Sequence, residues 1–469
     1  MVGILYGYCQ TMSGGQRALN SRLQKISRDL GDRLTINSFI VTTFSGLSVM
    51  AGFGFDILIA KRFGMGREAD AYFTAVTIPV IILTAILTAS QSVLVVALST
   101  HQTRGRENAA PDLFSSLMIL SGLTGLLLAV IGISSARILI HLISPGFDNP
   151  SLVLATSLTQ ILFLRAPAAT VVEIIRPALF AHRHFSLASA GYLIDSVIAL
   201  LGLFFLPIKG VLAAGWAITL GTWVELIFLA LVLWITKSGF FKPTLSFRDP
   251  ALSEVGRAIA APLGGLLFRQ SVIIAERWFG SFLGPGSVAA LGYANKIIKV
   301  LGGVVFDSVN TAGLPSLARA LSTNIQSIAR REWQHLLRWT TIAAIPLGLG
   351  LALGSRYFIR LFFITGTRNL GSVTISQMTA LLAIYSLALI PLGPFRAVQS
   401  YLYAAKRPVF VGGLLFLATI ITLLLDWPFI QLFGVNGLGW SFAAGLVISL
   451  VFGFIFIHRH INRLEPATP

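Results

Sequence analysis

Only 11% of the 469 residues are charged, yet six ionisable residues gather between positions 269 and 307: Arg269, Glu276, Arg277, Lys296, Lys299 and Asp307. Arg269 and Glu276 are seven apart, and Lys296 is followed by Lys299 three residues later and Asp307 eight after that. On helices, those spacings put each set roughly on one face. Cations outnumber anions four to two, and a cavity with surplus positive charge suits a diphosphate headgroup. Lys296, Arg269 and Lys299 are therefore the expected binding residues. Asp307 is expected to pair with either lysine or to serve as a coupling acid. Glu276 and Arg277 stand near the end of an apolar segment, where both are expected to reach the membrane interface, with Glu276 also a candidate for pairing or coupling. Asp56 is expected to pair with Lys61 or Arg62, or to act in coupling. Asp195 and Glu225 read as solitary acids, each able to take a coupling cation or proton. Glu173 and Arg176 form an i,i+3 pair with a structural role; Arg165 shares their segment, and Arg396 mirrors them later in the chain.

The elements that carry these groups are apolar. Hydrophobic residues make up 55% of the chain and the mean hydropathy is +0.81, whereas soluble domains carry about 25% charged residues. This is the pattern of an all-α polytopic membrane protein, in which a charge inside a span costs about 2.5–3.5 kcal/mol and needs a reason. Segments of roughly 20 apolar residues predict twelve spans, near 35–60, 71–98, 113–142, 151–180, 186–207, 211–236, 256–282, 287–313, 336–362, 374–404, 409–431 and 435–457. Turn signals separate several of them, such as "SPGFDNP" at 144–150 and "LGPGS" at 283–287. Glycine and proline inside the spans, as in "VMAGFGF" and "TIPV", favour close helix approach and kinks.

With the N-terminus inside, the inside segments collect roughly 20 Lys and Arg against roughly 8 outside, which orients both termini to the cytoplasm. The chain also repeats itself. "AKRFG" at 60–64 returns as "AERWFG" at 275–280, and "FAHRHFSLASAGYLI" at 180–194 as "YAAKRPVFVGGLLF" at 403–416. Six spans per repeat return the chain to its starting side, so the halves are parallel repeats forming two lobes around a central cavity. The expected organisation is a basic cytoplasmic tail at 1–33, a first lobe at 34–236, a linker at 237–255, a second lobe at 256–457 and a cytoplasmic tail at 458–469. In this scheme "AKRFGMGREADAYF" is the outward hinge between spans one and two, with its charges in the external interface.

The net charge of +17 is spread over short loops, which fits anionic lipid headgroups and argues against nucleic-acid binding. Cys9 alone excludes an intramolecular disulfide or a cysteine metal cluster. The first residues lack the features of a cleaved signal peptide. There is no Walker A loop, HExxH or GxSxG, and the seven histidines do not form a metal-spaced cluster with acids. No enzyme activity and no cofactor are expected. Transport would draw on an ion gradient, the membrane potential or the substrate gradient.

At "FDILIAKRFGMGREADAYFTAVTIP" (55–79) the sequence resembles the MurJ/MviN family of lipid II flippases, within the multidrug, oligosaccharidyl-lipid and polysaccharide exporter superfamily. "SPGF" at 144–147, "SFLGPGSVAALGYANKI" at 281–297, "LPSLARALS" at 314–322 and "LYAAKRP" at 402–408 continue the likeness in order from about residue 35 to 457. The resemblance implies a flippase for a polyprenyl-diphosphate-linked glycan, with lipid II for peptidoglycan synthesis as the first choice. It also implies the bacterial inner membrane and, as partners, glycan-synthesis enzymes. Asp56 and Asp70 match family acids, and Lys296 falls where the family has a cavity arginine, keeping the charge but losing the bidentate fork. Val49, Phe55 and Leu83 or Thr84 occupy other family arginine positions, and the last two helices of many members have no counterpart before residue 469. An exopolysaccharide or O-antigen repeat unit is the alternative cargo. A cation-coupled multidrug antiporter and a non-transporting scaffold are alternatives of other classes.

Overall fold

The computed structural model describes residues 39–103, 110–182, 184–208, 210–236, 268, 270–322, 325–361 and 372–463, excluding the side chains of 86–103, 110–113, 307, 311 and 372–374. The first lobe comprises α1 (Phe39–Phe63), α2 (Arg67–Thr103), α3 (Ala110–Ile143), α4 (Asn149–Phe163), α5 (Ala166–Ala181), α6 (Phe185–Phe205) and α7 (Leu212–Ile235). The second comprises α8 (Ser271–Phe282), α9 (Ser287–Gly302), α10 (Ser308–Ser322), α11 (Gln326–Ile359), α12 (Ser372–Leu387), α13 (Leu389–Ala404), α14 (Pro408–Phe433) and α15 (Asn436–Ile461). Eleven helical segments among the described residues are long and apolar enough to cross a membrane. The expected seventh span, the N-terminal tail and the linker fall wholly or partly outside the described residues; of span seven, α8 is described.

Several boundaries differ from the hydropathy reading. Span two continues to Thr103, span eight to Ser322 and span twelve to Ile461, while span nine begins at Gln326. In each case a polar or amphipathic extension keeps the helical backbone going beyond the apolar stretch that hydropathy detects.

Prolines shape the spans. Span four is α4 and α5, broken at Leu164–Arg165, because the Pro167 ring meets the Phe163 carbonyl and offers no N–H. Carbonyls near the break are satisfied from α7: Trp223 Nε1 donates to Leu164 O at 3.2 Å and Thr219 Oγ1 to Ile161 O at 3.0 Å. Span ten breaks likewise at Ala388, one turn before Pro391. In span eight a π-helical turn over Gly303–Asp307 joins α9 to α10.

Large apolar side chains such as Met50, Leu127, Trp234, Leu353 and Leu424 are exposed. Such a surface belongs against hydrocarbon, and the chain is a multi-pass membrane protein. Separate apolar cores fill the two lobes. One further core joins Phe55, Ile59, Tyr72 and Phe73 of the first lobe to Val288, Tyr293 and Ile297 of the second. The lobes therefore meet at the end that carries the α1–α2, α3–α4 and α8–α9 loops.

Candidate functional site

At that end the backbone of one lobe is capped by a side chain of the other. The first N–H groups of a helix have no partner of their own, and α9 has no side-chain cap from its own N-cap, Gly286. Asp70, in the first turn of α2, takes the role: its carboxylate accepts from Gly286 N at 2.5 Å and Ala289 N at 2.7 Å. An anion at a helix N-terminus is favoured by the helix dipole as well. Gly286 has φ +91°, and an added Cβ would lie 2.9 Å from Met65 O, so only glycine brings the α9 terminus this close.

More contacts run inward from this cap. Gly146 N donates to Ser281 Oγ at 3.0 Å, and Tyr293 Oη to Gly64 O at 3.3 Å. Arg277 is buried; its Nη1 donates to Val288 O and its Nε to Thr77 Oγ1 at 3.3 Å, across the lobes. Phe55, Tyr72, Phe73 and Tyr293 form a chain of aromatic contacts, closest at 4.7 Å between Phe73 and Tyr293. Deepest lies an interlobe ion pair, Lys296 Nζ to Asp56 Oδ2 at 2.9 Å. Asp56 is 5% exposed at its side chain and Lys296 45%, so the carboxylate is enclosed while the ammonium is reachable. The two lobes thus close against each other at this end, in the manner of a shut gate, with a half-exposed cation behind the contact.

Two other polar groups lie inside single lobes. In the second, a cavity of about 430 Å³ is bordered by Glu276, Asn295, Lys299, Arg396, Gln399 and Thr422 among others. Glu276 accepts from Asn295 Nδ2 at 2.6 Å and from Tyr385 Oη at 2.8 Å. In the first, Arg176 bridges Glu173 and Glu225 and lies over the Tyr192 ring at 3.7 Å. Beside it Thr222 donates to Asp195 Oδ1 at 3.0 Å. Among the described residues no group of His, Cys, Asp and Glu could hold a metal ion.

Along most of the chain this geometry has known counterparts. Residues 59–467 match the family model described as "Lipid II flippase MurJ". The chain belongs to the MurJ family. A "Lipid II flippase MurJ" from Burkholderia cenocepacia is 24% identical over 439 residues, covering 89% of this chain and 83% of that protein. Among solved structures, a "Lipid II flippase MurJ, inward closed conformation" superposes with a TM-score of 0.77 at 19% identity, covering 90% of this chain and 87% of that one. An inward-facing multidrug resistance MATE family transporter of the MOP superfamily gives 0.75 at 15% identity, over 92% and 97%. At such identities these two likenesses show the fold, with its two lobes, and nothing finer.

Set on this MurJ framework, the residues singled out in the sequence part company. Lys296 turns to Asp56 in the other lobe, whereas Lys299 lines the second-lobe cavity with Glu276 and Arg396. Arg269 lies outside the described residues, and Asp307 closes the π-helical turn with its side chain undescribed. Asp56 does not pair with Lys61 or Arg62; its partner is Lys296. Glu276 and Arg277 do not reach the interface, because the opposing lobe and α12 cover that end and bury both. Glu225 and Asp195 are not solitary: Arg176 and Thr222 engage them. Asp70 leaves the external interface for the buried cap, while Arg67 stays exposed and pairs with Asp148 at 2.9 Å. Asp148 also caps α4, and hydrogen bonding from Ser151, with the Arg67 charge, holds its carboxyl below the usual range.

Sequence reading missed the buried Asp426 in α14, which accepts from the Ser441 hydroxyl, and Asn295 beside Lys296. Asp426 carried a signal, being an acid in an otherwise apolar span.

Proposed function

We propose that this protein moves lipid II from the cytoplasmic to the outer leaflet of the bacterial inner membrane by alternating access. The gate described above closes the external side, and both termini lie in the cytoplasm. The observation that carries the reading is the Lys296–Asp56 ion pair at the inner face of the gate, in a chain of the MurJ family.

Lys296 is the group that meets the diphosphate. Half-exposed, it is open to an incoming ligand, and a diphosphate offers more negative charge than the single Asp56 carboxylate. Drawing the ammonium onto the substrate leaves Asp56 buried without its partner. Leaving a buried acceptor without its partner costs about 1–3 kcal/mol, and here that cost falls on the closed gate alone. Substrate binding thereby favours separation of the lobes at the outer end, because a ligand shifts a conformational equilibrium through its differential affinity for the two states. The lipid tail stays in the bilayer throughout. An ion gradient or the membrane potential supplies the direction, with Asp195, Glu225, Glu276 and Asp307 as the acids available for coupling. No reaction is catalysed, and glycan-synthesis enzymes supply and consume the cargo.

The test is mass spectrometry of polyprenyl-diphosphate lipids from cells depleted of the protein. Lipid II accumulates, the wild-type gene restores its level, and Lys296→Gln at equal protein abundance does not. Accumulation of a different lipid-linked oligosaccharide would refute the lipid II assignment. Full rescue by Lys296→Gln would remove Lys296 from the substrate's path.

A further inference from the structure

A second cationic recess lies far from the gate, between α10 and α11. Helix α11 has 34 residues, about 51 Å of helix, against a hydrocarbon core of about 30 Å. Its first stretch, "QSIARREWQHLLR" at 326–338, is polar, and the apolar run begins just after Trp339. A tryptophan at such a junction marks the headgroup level. Arg331, His335, Arg338 and Trp339 fall on one face of the helix, and all four are exposed.

Opposite them α10 presents Val309, Ala312, Gly313 and Ser316, mostly small residues at helical spacing, which leave a recess of about 800 Å³. Gly313 lets the two helices approach closely there: a Cβ would lie 2.6 Å from Leu336 Cδ1, and that side chain would have to shift. Glu332 is the one acid among the lining residues, against two guanidiniums. Among the described residues neither Arg331 nor Arg338 has a hydrogen-bond or ion-pair partner. Trp339 Nε1 donates to His335 Nε2 at 3.0 Å, which fixes both rings at the rim. Below the rim, exposed Ile342, Ile345, Leu349 and Leu353 continue along α11 as an apolar stripe. Unpartnered arginines at headgroup depth, followed by an apolar track, match an amphiphile with an anionic head and alkyl chains. No lining residue is shared with the gate or with the second-lobe cavity.

We infer that this recess binds the phosphodiester headgroup of an anionic glycerophospholipid from the surrounding leaflet, with its acyl chains on the α11 stripe. Basic pockets between the ends of membrane helices are suited to such headgroups. The bound lipid would tie α10 to α11 at the end of span eight opposite the gate. Only the choice of leaflet, the cytoplasmic one, rests on the orientation proposed above.

The test is native mass spectrometry of the detergent-purified full chain, titrated with phosphatidylglycerol or phosphatidylcholine of the same acyl chains. One phosphatidylglycerol binds in preference to phosphatidylcholine. The double substitution Arg331→Gln, Arg338→Gln weakens it about 30-fold, roughly fivefold for each guanidinium. Arg356→Gln, at the far end of the same helix, leaves it unchanged. Both arginines are exposed, and an unaltered melting curve confirms that the double variant is folded. Equal binding of the two lipids, or undiminished phosphatidylglycerol binding by the double variant, overturns the inference. So does displacement of phosphatidylglycerol from the wild type by equimolar polyprenyl diphosphate, which would assign the recess to the transported lipid. Because the readout is lipid binding alone, it stands or falls independently of lipid II transport.

Discussion

Substituting Asp70 with asparagine tests whether the gate is held by a cap from across the lobes. The wild-type carboxylate receives two backbone N–H groups, at 2.5 and 2.7 Å, in a buried position. Asparagine keeps one acceptor oxygen, now neutral, but its NH2 faces the other N–H, so one bond is lost outright, the other loses its charge assistance and a donor is left unpaired. Hydrogen bonds to charged groups contribute about 1.5–3 kcal/mol, and a central value of about 2 kcal/mol shifts the closed-to-open ratio about 30-fold. Accessibility of a cysteine reads this ratio. In a Cys9→Ser background, Thr74→Cys places a thiol at a position with no exposed surface in the closed gate. Modification by a membrane-impermeant maleimide added outside should then accelerate about 30-fold in Asp70→Asn. Asp148→Asn, which removes the exposed Arg67 pair in a neighbouring loop, should change the rate less than twofold. A cysteine replacing Ser189, buried within the first lobe, should stay protected in both. An unchanged Thr74→Cys rate in a folded Asp70→Asn protein would show that the cap does not hold the gate. Equal acceleration at position 189 would mean general unfolding instead.

Two further substitutions separate gate packing from lobe stability. A Cβ on Gly292 would lie 2.3 Å from Phe73 Cδ1, so Gly292→Val wedges the gate by about 1–3 kcal/mol of overpacking and speeds the same labelling, whereas Gly350→Ala, with open space around it, leaves it unchanged; equal rates would contradict the packing described. Arg176→Gln leaves the buried Glu173 and Glu225 without their shared partner and should cost about 3–5 kcal/mol of stability, seen as a lowered thermal midpoint; a midpoint within a degree of wild type would show that the triad does not stabilise the first lobe.

How much of this was legible in the sequence depended on distance along the chain. The spans and the lobe repeat follow from hydropathy and from echoes such as "AKRFG" and "AERWFG", because both are local patterns. The breaks at Leu164–Arg165 and Ala388 escaped this reading, because hydropathy runs spans four and ten straight through Pro167 and Pro391. The i,i+3 pair of Glu173 and Arg176 was readable because it, too, is local. Its third member, Glu225, was not, since helical spacing carries no information about another helix. The gate shows the same limit more sharply. Asp56 and Lys296 come from different lobes, and so do Asp70 and the α9 terminus. Near a span end, Glu276 and Arg277 have the signature of interface residues. Only the packing of the lobes over that end turns them into buried ones.

Lys296 is a compact point charge on a flexible stem, whereas an arginine would hold two oxygens in a planar fork. In a gate that must release its cargo, the difference has a consequence. With Phe55 beside it rather than another cation, Asp56 has Lys296 as its one ion-pair partner among the described residues. On the proposed assignment the ammonium serves either the Asp56 carboxylate of the closed gate or the substrate's diphosphate, but not both at full strength. A second fixed cation at position 55 would let the carboxylate and the diphosphate be satisfied together. Binding would then no longer disfavour the closed gate. Phe55→Arg should accordingly tighten diphosphate binding while slowing translocation, the two being separable by substrate affinity and single-turnover flipping in liposomes. Faster flipping with tighter binding would refute the competition between substrate and Asp56 for one lysine.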